Sequence, residues 1–248
     1  QAIKDSKREN SLEKVLYTPN RTRFLGDANR PQYHLIEPEK WMNEPHAPFF
    51  YNGYYHIFYQ ANLHAPIWDS IQWGHLASKD MVHWKDLPLA LQSEPGFYDE
   101  LGCWSGSGMI DKEGVPRIYY TAGNNNRFPN QAVALAQPKD LEKDTLLKKW
   151  KKYPSLIKEQ DIGWLGEFRD PFVWIEQDNY FMLVGTGDEH NGGGNAALYV
   201  SADGLNWESC GMLVDYNYEI NQKCGHVWEL PVLLPLRDDS GKIVCHIM

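Results

Sequence analysis

Apolar and polar residues alternate with a period of two along most of this chain, and helical spacing is nearly absent. A period of two sends successive side chains to opposite faces of a strand, so the pattern predicts a β fold. The stretch "HAPFFYNGYYHIFYQ" reads as a strand, an Asn-Gly hairpin turn and a second strand. The plan recurs in "SGSGMIDKEGVPRIYYTAG" with a Lys-Glu-Gly turn and in "DPFVWIEQDNYFMLVGTG" with Gln-Asp-Asn. It recurs again in "LPVLLPLRDDSGKIVCHIM" with Asp-Asp-Ser-Gly. "LEKDTLLKKW" is the one modest helical candidate, with a loop as the alternative.

Each of the first three hairpins is followed by a repeat. "WGHLASKDMVHW" and "NAALYVSADGLNW" share Ser, Asp two residues on and Trp four after that: Ser78/Asp80/Trp84 and Ser201/Asp203/Trp207. A weaker copy, "QAVALAQPKDL", carries Asp140. The three aspartates are spaced by 60 and 63 residues. Strand-like alternation at that period marks a propeller blade, a four-stranded sheet. The blades fall at 41–90, 100–150 and 165–212, with an incomplete one from 226. Residues 1–30 form an N-terminal extension, and 31–248 form the N-terminal part of a propeller of which about three and a half blades are present. The chain begins with Gln and ends inside a strand-like run, which reads as a piece of a longer protein.

Composition narrows the function. Ten Trp and fourteen Tyr suit both a β-rich core and a carbohydrate site, where sugar faces lie on rings. A net charge of −9 without a long basic run argues against nucleic acid. No stretch reaches the roughly 20 apolar residues of a membrane helix, and no signal peptide is visible, so the compartment stays open. The cysteines Cys103, Cys210, Cys224 and Cys245 contain no CxxC pair, so free thiols are expected and a zinc site is not.

The chemistry stands at the mouths of the hairpins. "NEP" carries Glu44, "RDP" carries Asp170 and "WELP" carries Glu229, each just before an innermost strand. One carboxylate before proline is commonly a turn residue. Three at matching blade positions converge on a propeller's central funnel, which is the arrangement glycoside hydrolysis requires. Crowded carboxylates raise one another's pKa, keeping one protonated near neutral pH. Arg169, beside Asp170, is suited to hold a neighbouring carboxylate ionised or to bind sugar hydroxyls.

These motifs resemble those of the β-fructosidases, glycoside hydrolase family 32 (invertases, inulinases, levanases). "WMNEPHAP" is similar to that family's Trp-Met-Asn-Asp-Pro-Asn-Gly motif, "CWSGSGM" to its aromatic-Ser-Gly-Ser segment, "FRDP" to Arg-Asp-Pro and "WELP" to Glu-Cys-Pro. The likeness runs over about residues 33–235. It implies a five-bladed propeller followed by a β-sandwich, absent from this chain, and retaining cleavage of fructofuranosyl bonds in sucrose, fructo-oligosaccharides or fructans, with no metal or organic cofactor. It puts Glu44 at the nucleophile position, Asp170 at the position that binds sugar hydroxyls and stabilises the transition state, and Glu229 at the general acid/base. Asn43, Gln60, Trp68, Trp73, Trp104, Ser105 and Arg169 fall on positions lining the fructose pocket.

Three departures stand out: Glu44 replaces Asp, His46-Ala47 replaces Asn-Gly, and Leu230 replaces Cys. One extra methylene moves a carboxylate by about 1 Å, and a misplacement of that size can cost about 100-fold in rate. The changes beside it allow the loop to be rebuilt around the longer side chain. Three readings follow: a β-fructofuranosidase-like hydrolase, a fructosyl transferase or other furanosidase, and a sugar-binding propeller without catalysis.

Overall fold

A computed structural model describes residues 17–31, 34–124, 131–154, 156–158, 167–188, 193–214 and 225–248. The described chain is almost entirely β. The first sheet runs in the order β1 (Trp41–Tyr51), β2 (Tyr54–Asn62), β3 (Gln72–Ser78), β4 (Trp84–Leu91). The second is β5 (Gly102–Ile110), β6 (Pro116–Gly123), β7 (Gln131–Pro138), β8 (Trp150–Lys152), with β9 (Ile157–Lys158) also paired to β7. The third is β10 (Phe168–Glu176), β11 (Asn179–Asp188), β12 (Gly193–Ser201), β13 (Glu208–Met212). β14 (Leu234–Arg237) and β15 (Ile243–Ile247) form a fourth, two-stranded sheet. Every named pairing is antiparallel between neighbours in sequence, apart from β7 with β9. These are propeller blades, and they fall where the repeat put them.

Turn chemistry sets the hairpins. Asn52 and Gly53 both have positive φ (48° and 79°), as a two-residue type I′ turn requires. In the third blade Glu176 pairs with Asn179, so the turn is Gln177-Asp178, also at positive φ, and Asn179 already belongs to β11. The Ser-x-Asp repeat is an outer-edge turn. Asp80 accepts from the N–H groups of Val82 and His83, and Asp203 does the same for Leu205 and Asn206. "LEKDTLLKKW" is a loop and not a helix: Asp144 caps the N–H of Lys149, and Trp150 opens β8 with its ring in the core. Cys103, Cys210 and Cys245 are free; Cys224 lies outside the described residues.

The core lies in seams between blades. Alternate residues of β6 and β7 face opposite ways: Ile118, Tyr120, Ala134 and Ala136 pack with Phe58 and Trp73 of the first blade. Tyr119, Val133 and Leu135 pack with Phe168, Tyr180 and Val184 of the third. A sheet buried on both faces explains why "RIYYTAG" and "QAVALAQ" are nearly continuous small or apolar runs. Each fully buried large apolar side chain contributes roughly 1.5–3 kcal/mol, so the seams dominate cohesion. A third cluster, Tyr59, Ala61 and Leu76, forms with Leu35 and Trp84. The segment preceding β1 also grips β4: Leu89 N–H bonds Tyr17 O at 3.0 Å, and Arg21 Nε bonds Asp86 at 2.9 Å.

Candidate active site

The first strands of the three full blades, β1, β5 and β10, lie side by side. Each has a break in register at the same place. In β1, Met42 pairs with Ala61 and Pro45 with Tyr59, so Asn43 and Glu44 together stand opposite Gln60. In β5 the break isolates Ser105, and in β10 it isolates Asp170 and Pro171. Such bulges re-aim side chains out of the pleat. Pro171 is tolerated in β10 because it stands within the bulge, where no N–H is needed for the ladder, while Pro45 stands where the β1 ladder resumes after its bulge. The x-carboxylate-Pro motif is therefore a bulge that turns a carboxylate away from the sheet.

The re-aimed groups surround one cavity of about 370 Å³. It is lined by Asn43, Glu44, Gln60, Trp68, Trp104 and Ser105 on one side, and by Gln131, Glu167, Arg169, Asp170, Glu229 and Leu230 on the other. Nine of the ten sequence-expected site residues are thus brought together. Trp73 is the exception. It is fully buried against Phe58, Tyr120 and His46, and its indole Nε1 donates to Trp104 O at 3.0 Å. It supports the wall of the cavity from behind and does not line it.

Glu44 is held tightly. Gln60 Nε2 donates to Glu44 Oε1 at 3.0 Å, and the Ser105 hydroxyl donates to the same oxygen. His46 Nδ1 lies 3.6 Å from that oxygen, longer than a hydrogen bond but close enough to polarise it. Burial pushes the Glu44 carboxyl up, but His46 and Ser105 outweigh it and hold the group below the usual carboxylate range.

Asp170 sits at positive φ (61°), a conformation that costs an L-residue about 1–2 kcal/mol. Its N–H bonds Thr121 Oγ1 at 2.8 Å, and that hydroxyl donates to Ser105 O at 2.9 Å, tying the second and third bulges together. Its Oδ2 accepts from Leu230 N–H at 3.0 Å. Burial pushes Asp170 up to about 6; the Leu230 N–H and Arg169 pull it down, and the charges of Glu229 and Glu44 add to the rise.

Glu229 reaches the cavity on an irregular segment seated on the third blade. Trp228 N–H bonds Thr186 O at 3.2 Å. A Cβ on Gly185 would stand 2.3 Å from Trp228 O, and one on Gly194 would stand 2.4 Å from Trp228 Cδ1, so only glycine admits this seat. Arg169 then grips Glu229 Oε1 through Nε (3.1 Å) and Nη2 (2.8 Å), while its Nη1 bonds Glu167.

Sequence reasoning missed Gln131 and Glu167, and marked Leu230 only as a departure from the motif and not as a residue of the cavity wall. Glu167 carried a signal: it precedes Arg169 by two residues, the spacing that puts two side chains on one face of a strand. Gln131 opens β7, and its Oε1 accepts from Phe168 N–H at 3.1 Å, a contact between blades that no local pattern encodes. Among the described residues, no three His, Cys, Asp or Glu side chains are grouped to hold a metal ion.

The profile of the glycosyl hydrolases family 32 N-terminal domain matches residues 34–248. The chain is 36% identical to a fructan 6-exohydrolase of Beta vulgaris over 85% of its own length and 34% of that protein. It is 34% identical to a sucrose-6-phosphate hydrolase of Zymomonas mobilis over 88% of its length and 43% of that protein. Among solved structures it is similar to fructan 1-exohydrolase IIa of Cichorium intybus in complex with 1-kestose, with a TM-score of 0.74 and 32% identity, covering 85% of this chain and 38% of that one. The chain therefore spans well under half the length of these relatives.

Proposed function

The chain belongs to glycosyl hydrolases family 32, and from that premise we propose that it carries the catalytic site of a retaining β-fructofuranosidase. The observation that carries the reading is the convergence of Glu44, Asp170 and Glu229 on one cavity from two bulged strands and a seated loop. Glu44 attacks the anomeric carbon of a terminal fructosyl unit. Its depressed pKa keeps it ionised for that step, as a nucleophile needs. Glu229 protonates the leaving oxygen, and its ionised form then takes a proton from the water that hydrolyses the fructosyl–enzyme. Asp170 accepts hydrogen bonds from fructose hydroxyls, with Asn43 and Arg169 beside it. Sucrose, fructo-oligosaccharides and fructans are the substrate class, in keeping with the kestose bound to the Cichorium relative.

Incubation of the protein with sucrose, 1-kestose, inulin and levan, followed by product analysis, tests the reading. Free fructose is the expected product. Di-fructose or anhydride products would mean transfer. A sugar-binding propeller without catalysis is favoured by one observation, the longer side chain at position 44; it predicts calorimetric binding with no product at all.

A further inference from the structure

Beneath Glu44 lies a buried imidazole that the reaction just described does not use. The His46 side chain is 5% exposed, and its ring centroid lies 4.0 Å from that of Trp73. Trp73 is itself pinned to Trp104 O, so the imidazole rests on a fixed floor. Neither ring nitrogen has a hydrogen-bond partner. A buried polar group in that state is uncommon and calls for a reason. The polar atom it faces is Glu44 Oε1, 3.6 Å from Nδ1.

We propose that His46 is a positioning residue for Glu44, fixing the longer carboxylate from below so that Oε2 is left to react. Among the described residues, the hydrogen bonds to Glu44 from Gln60 and Ser105 both end on Oε1, the oxygen His46 also faces. A glutamate has one more rotatable bond than an aspartate and so needs one more restraint to hold the same place. Burial lowers the His46 pKa, against the raising pull of Glu44, so the ring is neutral and carries one proton. The tautomer with Nδ1–H turned toward the carboxylate is the attractive one; the other sets a lone pair against a negative charge. The charged or titratable groups around Glu44 are His46 from β1 beneath it and, across the cavity, Glu167, Arg169 and Asp170 at the start of the third blade and Glu229 from the loop; Gln60 of β2 and Ser105 of β5 are neutral.

The inference rests on the fructosidase reading for its kinetic consequence, but a substrate-free measurement tests it separately. Asn at 46 puts an amide N–H where Nδ1 stands, Gln puts one near Nε2, and Leu keeps the packing on Trp73 without a donor. Each variant is checked for an unchanged melting temperature. On 1-kestose, His46→Leu and His46→Gln should lower kcat by about 10- to 100-fold with KM within about threefold. They should also move the acid limb of kcat/KM upward by about one pH unit, while His46→Asn stays within about 0.3 of the parent. Isotope-edited infrared titration of Glu44, with Glu44→Gln as the assigning blank, should show the same ordering without substrate. If Leu, Gln and Asn titrate Glu44 alike, the proposal is overturned, whatever the enzyme does to sugars. If the parent releases no fructose but the infrared ordering holds, the fructosidase reading fails and the positioning role stands.

Discussion

The two walls of the cavity are built on opposite plans. Glu44 stands inside a strand bulge, with one oxygen shared by Gln60 and Ser105 and a buried imidazole beneath. Glu229 stands on an irregular segment, its side chain 63% exposed, gripped by Arg169 and seated through Trp228 on two glycines. The first plan suits a nucleophile, which must stay ionised and aimed. The second suits a group that must give and take a proton, because an exposed carboxylate exchanges with water. What differs is where the precision comes from: side-chain hydrogen bonds on one wall, backbone seating on the other.

The comparison can be broken at either wall. Glu229→Gln keeps the shape and Arg169's neighbour but removes the proton, so fructose release should fall by about 10³-fold or more. Glu44→Asp withdraws the carboxylate from Ser105 and Gln60, and a loss of about 100-fold in kcat/KM is expected; a gain would mean that this wall is shaped for the shorter acid. Gly194→Ala touches no catalytic group, yet its Cβ would collide with Trp228. It should cost about 10-fold in kcat by displacing Glu229, with Ser at the same position no better. An equal loss in a distant Gly→Ala control such as Gly26, where a Cβ meets nothing within 4 Å and φ is not in the left-handed region, would dissolve the distinction.

Asp170, between the walls, predicts a smaller and pH-dependent effect on stability. Its pKa is raised to about 6 in the fold, above the value of about 3.9 for an unstrained Asp. The folded state therefore prefers the protonated form, and stability is lost as pH rises from about 4 to 6. Asp170→Asn, neutral at all pH, should melt about 5 °C higher than the parent at pH 7.5, with the gap closing near pH 4, while activity falls. The smallest effect is expected at the rim. Asp203→Ala removes the cap on Leu205 and Asn206, and should lower the melting temperature by about 2–4 °C with kcat unchanged.

Much of this was legible in the chain because it is local. Asn52-Gly53 fixes a hairpin, Ser201-x-Asp203 fixes an outer turn, and a carboxylate before Pro45 or Pro171 marks the mouth of an inner strand, although the bulge that aims it was not read. The unread part is what depends on contact between blades. Trp73 looks like a pocket residue in sequence, but packing with Tyr120 of the next blade buries it. Gln131 and Glu167 matter only because β7 and β10 meet at the cavity. The helical spacing of "LEKDTLLKKW" is overridden because Trp150 fills a seam between sheets.

Glu44, longer than the aspartate of the related motif, is proposed here as a working nucleophile. The most direct measurement compares the parent and Glu44→Gln on 1-kestose, reading fructose release and calorimetric binding on the same preparations. The parent should bind 1-kestose and release fructose, while Glu44→Gln should bind it without release. Binding by the parent with no fructose formed, or full turnover by Glu44→Gln, would contradict it.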